Sequence, residues 1–139
     1  MITLKRLPEE IKSRGELVEK FKKDYPGEVT ESTVKDCEKC KAITPVSKGK
    51  PGPGRPTRFV YSREHMVITI AYGVLWEMGI EKKERDQLLE GCSLKDIKEL
   101  QRKIKDSSYL QILDFLKKKG VKLDYERKAL RDLLSFKIT

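Results

Sequence analysis

The chain has 139 residues, the length of one domain or of a small domain with an extension. Lys and Arg outnumber Asp and Glu by 31 to 22, and the net charge of +9 favours a polyanionic partner such as nucleic acid. No segment has the apolar length of a membrane span or the pattern of a signal peptide, so we expect a soluble, cytoplasmic protein with no membrane partner. In that compartment its three cysteines are expected to be reduced.

The first part of the chain predicts helices. Apolar residues recur at helical spacing across residues 4–11, where a proline suits a first helical turn. Ser13 and Glu16 match a capping box, so a second helix is expected from Ser13 to Asp24. One helix across residues 8–24 is the alternative.

A third helix and two strands follow in the predicted order. Thr30 is a good N-cap for a helix over residues 30–42. Two short runs of β-branched and aromatic residues, at 43–46 and 57–61, then flank a loop rich in Gly and Pro. They predict a two-stranded β-hairpin, in which Pro45 restricts the first strand to an edge.

The next helix is apolar on nearly all sides. Ser62 is its expected N-cap, and it extends to about Met78, with Gly79 after it. Such a helix must be covered by the core of its own chain or by a second subunit, and the sequence leaves both open. Tyr72 and Trp76, one turn apart, are assigned to the core.

More helices are expected toward the C-terminus. One ends at Gly91, one begins at Ser93 with Asp96 as its capping partner, one covers residues 109–119, and the last begins after Asp124. We expect a winged helix-turn-helix unit over residues 1–91 and a helical assembly or effector region over residues 92–139. The fold class is thus mainly α with a small β-hairpin wing.

Three helices followed by a basic hairpin is the order of a winged helix-turn-helix, in which one helix enters the major groove of DNA. On a helical wheel of residues 30–42, Val34 and Cys37 point to the core. Glu31, Asp36 and Glu38 weaken this interpretation, because each repels phosphate. The candidate DNA-binding residues are Ser32, Lys35 and Lys39 on the helix, Lys48, Lys50, Arg55 and Arg58 on the wing (44–61), and Arg63.

The segment GRPTRFVYSREHMVITIAYGVLWEMGI resembles the wing and following helix of MerR-like transcriptional regulators. The matching positions are Tyr61, Ser62, Glu64, Glu77, Gly79 and Ile80. The resemblance implies a DNA-binding regulator that works as a homodimer and answers an unidentified effector. The chain departs from that family in its longer turn at 24–29, in Asp36-Cys37 at the usual aromatic pair, and in lacking a long dimerisation helix.

Other functions have less support in the sequence. We expect no enzyme and no cofactor, because the chain has one histidine and no nucleophile or phosphate-loop motif. A metal site would need Cys37, Cys40, His65 and Cys92, but a single CxxC pair is a weak zinc signal. Two alternatives to DNA binding stay open: a helical protein–protein interaction module with a basic loop, and a thiol- or metal-responsive sensor.

Overall fold

The structure, a computed structural model, describes residues 7–25, 27, 29–48, 58–106, 118 and 128–135. This part of the chain is mainly helical with a small antiparallel sheet, as predicted. Among the described helices, none has the length and apolar character needed to cross a membrane. The elements are β1 (Glu10–Ile11), α1 (Arg14–Asp24), α2 (Glu31–Lys39), β2 (Val46–Lys48), β3 (Arg58–Ser62), α3 (Arg63–Glu77), α4 (Lys82–Leu89), α5 (Leu94–Lys105) and α6 (Lys128–Ser135).

The sheet has the strand order β1-β3-β2, and both pairings are antiparallel. β2 and β3 form the expected hairpin, with Val46 opposite Val60. The first strand begins at Val46 rather than at Ile43, because Pro45 has no amide hydrogen to donate to a neighbouring strand. β2 lies at the edge of the sheet, where the proline was expected to confine it.

The helix predicted from the spacing over residues 4–11 is wrong for its described part. Glu10 and Ile11 form a strand, in which Ile11 pairs with Tyr61 of β3. β2 pairs with one edge of β3, and β1 pairs with the other edge. This backbone pairing determines the conformation of Glu10 and Ile11, although the spacing of apolar residues favours a helix. The alternative of a single helix over residues 8–24 is wrong for the same reason.

Four of the five capping residues predicted from the sequence lie in the described part of the chain, and each begins a helix. In α1, α2, α3 and α5 the cap hydroxyl accepts a hydrogen bond from the backbone N–H three residues later, which satisfies one of the free donors at the helix start. The donors lie 3.1 to 3.5 Å from the cap oxygens. The caps are Ser13, Thr30, Ser62 and Ser93.

α3 is the centre of the fold. Ten consecutive residues, from Met66 to Leu75, are buried. α2, α4, α5, α6 and β3 all contact this helix, so its apolar surface is covered within one chain. The prediction that Trp76 belongs to the core is wrong: the side chain is 53% exposed, because it lies beside an open cavity between α2 and α4.

The C-terminal helices join the same hydrophobic cluster. Ile97, Ile104 and Leu133 are buried in it, and the Gln101 side chain donates a hydrogen bond of 2.6 Å to the Leu133 carbonyl. Of the helix predicted over residues 109–119, the structure describes residue 118 alone, which is helical. The cap predicted at Asp124 lies outside the described residues, and the boundary near residue 91 stays a prediction.

Candidate nucleic-acid interface

α2 is fixed to the core along one side. Val34 and Cys37 are completely buried, as the helical wheel predicted. The helix ends three residues before the predicted end, because Lys41 adopts a left-handed conformation with φ of 62°. Two bonds close the helix end, from the Ala42 amide to the Cys37 carbonyl (2.9 Å) and from the Lys41 amide to the Glu38 carbonyl (3.2 Å). This is a Schellman motif in which Lys41 stands where glycine is usual.

The three residues predicted to face the major groove lie on the solvent side of α2. Ser32, Lys35 and Lys39 are exposed, and their spacing of three and four residues places them on one face. The Lys35 ammonium lies 3.4 Å from the Glu31 carboxylate, an exposed pair one turn apart. Such pairs contribute little to stability, so Lys35 can exchange this partner for a phosphate.

One of the acids that weakened the DNA-binding interpretation is turned away from solvent. Glu38 accepts a 2.5 Å hydrogen bond from the Tyr61 hydroxyl, and its other oxygen lies 2.8 Å from the Arg14 guanidinium. The Tyr61 ring is completely buried, and burial raises the pKa of its hydroxyl to about 12. The carboxylate of Glu38 therefore joins α1, α2 and β3 instead of facing a ligand.

The hairpin brings two of the predicted basic residues together. Its register places Lys48 directly opposite Arg58 at the last described pair before the loop. Like charges directly opposite each other on antiparallel strands are destabilising. Lys50 and Arg55, which the sequence places in that loop, lie outside the described residues.

Arg63 has a partner inside the fold. Its Nε donates a 2.8 Å hydrogen bond to the Leu7 carbonyl, and its Nη2 lies 3.9 Å from a Glu9 oxygen. The guanidinium therefore ties the segment before β1 to the start of α3. Of the predicted DNA-binding residues with described side chains, this one is least available to phosphate.

Of the four candidate metal ligands, His65 and Cys37 have local structural roles. The His65 Nδ1 accepts a 3.1 Å hydrogen bond from the Ser62 amide and so completes the cap of α3. Cys37 is a core residue, and burial raises the pKa of Cys92 to about 12. Within the described residues, no group of three or more His, Cys, Asp or Glu side chains is arranged to hold a metal ion.

A cavity beside α2 was missed by sequence reasoning. It is lined by Trp76, which is exposed, and by Arg85, which is only 8% exposed. An Arg in the charged sequence KKERDQLL is indistinguishable from its surface neighbours until the fold is known. Trp76 lies near the end of α3, where the apolar run gives way to Glu77, and this position is the one feature of the sequence that agrees with its exposure.

Comparisons of the chain with protein-family models, with curated proteins and with solved structures gave no match. The resemblance to MerR-like regulators therefore stays an expectation. Function has to be inferred from the geometry and charge of this chain.

Proposed function

We propose that the protein binds double-stranded DNA as a winged helix-turn-helix transcriptional regulator, with α2 as the recognition helix and the β2–β3 hairpin as the wing. The main contacts come from Ser32, Lys35 and Lys39 on α2, and from Lys48, Arg58 and the loop between them. Arg63 is left out of this set, because it is bound to the segment before β1.

The register of the hairpin is the observation that carries the proposal. Lys48 faces Arg58 across the strands, and the sequence between them adds Lys50 and Arg55 without any acid. The Lys48–Arg58 pair opposes folding of the hairpin, because like charges directly opposite each other repel. A polyanion relieves the repulsion, and phosphates are the ligands that such side chains bind in DNA complexes.

The placement of α2 supports the same conclusion. One side of the helix is fixed by buried residues, while the other presents a serine and two lysines to solvent. An α-helix fits the major groove, where serine bonds to base edges and lysine bonds to guanine or to phosphate. The bond between Tyr61 and Glu38 connects β3 to the C-terminal half of α2, so the hairpin is tied to the proposed recognition helix.

A homodimer and an effector remain predictions. Winged and other helix-turn-helix proteins commonly bind two half-sites as dimers. The surface of α3 from Met66 to Leu75 is used within the chain, so a second subunit has to contact another part of the molecule.

The proposal is tested by fluorescence anisotropy with labelled duplexes of mixed genomic sequence, measured over a series of salt concentrations. We expect the logarithm of the affinity to fall linearly with the logarithm of salt, with a slope of about −0.9 per phosphate contacted. Sizing of the complex in the same buffer gives the number of subunits bound. Absence of duplex binding at low salt, or binding that salt does not weaken, contradicts the proposal.

A further inference from the structure

The cavity beside α2 has a volume of about 270 Å³ and lies between the first half of α2, the end of α3, and α4. A volume slightly below the usual range for drug-sized ligands suits a single ring system. The lining combines hydroxyl groups, one carboxylate, one guanidinium and two aromatic rings. The lining residues are Thr30, Ser32, Thr33, Asp36, Tyr72, Trp76 and Arg85.

Arg85 is more than nine-tenths buried and incompletely satisfied. One terminal nitrogen donates a 2.6 Å hydrogen bond to the Ile80 carbonyl, and the guanidinium carbon lies 5.2 Å from the centre of the Tyr72 ring. Its Nε, however, has no hydrogen-bond partner anywhere in the described part of the chain. A buried donor without an acceptor costs free energy. Because less than 1 Å² of this nitrogen is accessible, a rotation of the Arg85 side chain is needed before a ligand in the cavity can supply the missing acceptor.

Trp76 supplies an aromatic face at the same cavity. It is the single tryptophan of the chain and is 53% exposed, although ten consecutive residues of α3 immediately before it are buried. An exposed indole next to a cavity is a stacking surface for a planar ligand.

Asp36 restricts the charge that a ligand in this cavity can carry. Its carboxylate lines the cavity together with the Arg85 guanidinium, so the lining carries one charge of each sign. The neighbouring Asp86 is already engaged, since it accepts hydrogen bonds from the Tyr72 hydroxyl (2.6 Å) and from the Lys82 ammonium (2.9 Å). A simple anion is repelled by Asp36, and a simple cation by Arg85.

We propose that this cavity binds a planar nitrogen heterocycle whose edge carries both a hydrogen-bond acceptor and hydrogen-bond donors, as a nucleobase does. The ring stacks on Trp76, Arg85 donates to the acceptor, and Asp36 accepts from the donors. Guanine matches this pattern, because its edge presents a carbonyl oxygen beside N–H groups. The base is supplied by a free nucleoside or by a single-stranded nucleic acid.

Isothermal titration and tryptophan fluorescence test the proposal, with three aromatic probes against the full-length protein. Guanosine supplies both kinds of hydrogen-bonding group, benzoate only an acceptor and benzamidine only a donor. We expect guanosine to bind and to change the fluorescence of Trp76, and the other two to bind at least about tenfold more weakly. Equal binding of benzoate or benzamidine, or no binding of guanosine, overturns the proposal.

Variants locate the binding site. Trp76→Ala is expected to weaken guanosine binding at least about fivefold, since stacking of a base on an aromatic side chain is lost. Asp36→Asn is expected to weaken it while leaving thermal stability nearly unchanged. Leu88→Ala is the matched control, because Leu88 is an equally exposed apolar side chain at 52% and does not line this cavity. Equal affinities of the Trp76→Ala and Leu88→Ala variants overturn the assignment.

Two further measurements identify the source of the base and separate this site from the DNA interface. If an oligothymidine with one central guanosine binds more tightly than guanosine, the source is single-stranded nucleic acid; if it binds equally or less tightly, the source is the free nucleoside. Both results support the site. If the Trp76→Ala variant binds guanosine and the oligonucleotide as tightly as the wild type does, the proposal is overturned. Duplex binding by the same variants is recorded in parallel, so failure of either proposal leaves the other testable.

Discussion

Lys41 has a backbone conformation that is unfavourable for lysine. The backbone at this position has a positive φ of 62°, which costs about 1 kcal/mol for a residue with a Cβ atom. The two hydrogen bonds of the Schellman motif hold it there, and the Lys41 carbonyl also accepts a 3.1 Å bond from the Gly91 amide. Lys41 thus joins the end of α2 to the end of α4.

Lys41→Gly is expected to raise the free energy of unfolding by about 0.5 to 1 kcal/mol, because glycine adopts positive φ without a steric cost. Chemical denaturation measures the change. Lys41→Ala is the control: it removes the same charge but keeps the strain, so it is expected to give no gain. A stabilisation of equal size in both variants would point to charge rather than to backbone strain.

Tyr61 has a larger role, because its hydroxyl bonds to the Glu38 carboxylate and so connects β3 to α2. Tyr61→Phe keeps the buried ring but removes the hydrogen bond to the Glu38 carboxylate. Loss of a bond to a charged group is expected to lower the free energy of unfolding by about 2 kcal/mol. Glu38→Ala removes the acceptor of the same contact, and the effects of the two variants should be strongly non-additive. Additive effects would contradict the network.

His65 makes stability depend on pH. Burial lowers the pKa of its imidazole, and the neutral ring accepts the Ser62 amide hydrogen bond. Because the unfolded chain then binds a proton more readily than the folded chain, stability is retained above the unfolded pKa of about 6.5 and falls as pH drops below it. Since this is the only histidine, His65→Gln is expected to remove the part of the acid sensitivity that begins near pH 6.5. Denaturation curves between about pH 7 and pH 5 check this, and an unchanged pH profile in the variant would contradict it.

At the scale of elements, the sequence predicted what local chemistry determines. Ser13, Thr30, Ser62 and Ser93 identified helix starts, because a cap bonds to an amide only three residues away. The strand at Glu10–Ile11 was missed, because its pairing partner lies fifty residues further along the chain. The inward helix face of α2 was predicted, but the pairing of Glu38 with Arg14 and Tyr61 depends on how three elements pack.

The candidate site, too, was predicted from the sequence only in part. The basic hairpin and the outward lysines of α2 could be predicted from composition and periodicity. The cavity with Trp76 and Arg85 could not, because an exposed tryptophan and a buried arginine reverse the usual preferences of these residues. Only the packing of α2, α3 and α4 places them together.

Reversing one charge of the hairpin is expected to have opposite effects on stability and on DNA binding. Lys48→Glu places a carboxylate opposite Arg58 and is expected to raise the free energy of unfolding by about 0.5 kcal/mol. The same change is expected to weaken duplex binding about tenfold or more, because it replaces a phosphate contact by repulsion. Thermal denaturation and anisotropy measure the two effects on one sample. A variant that is more stable and binds DNA as well as the wild type would show that Lys48 does not contact phosphate.

For the whole molecule, an alternative to specific contact is that net charge alone attracts DNA. The chain carries +9, and exposed lysines lie on α5 as well as on α2. General attraction depends on total charge, whereas an interface depends on where the charges lie. Two double variants with equal net charge separate these explanations.

The most direct test of the DNA-binding account compares Lys48→Glu/Arg58→Glu with Lys95→Glu/Lys98→Glu in the salt series. The first variant keeps like charges opposite each other in the hairpin, so its stability should resemble that of the wild type, while its charge toward DNA is reversed. The second reverses two exposed lysines on α5. We predict that the hairpin variant loses duplex binding and reduces the salt slope by about two units, and that the α5 variant binds nearly as the wild type does. Equal losses in both variants would contradict an interface formed by α2 and the hairpin.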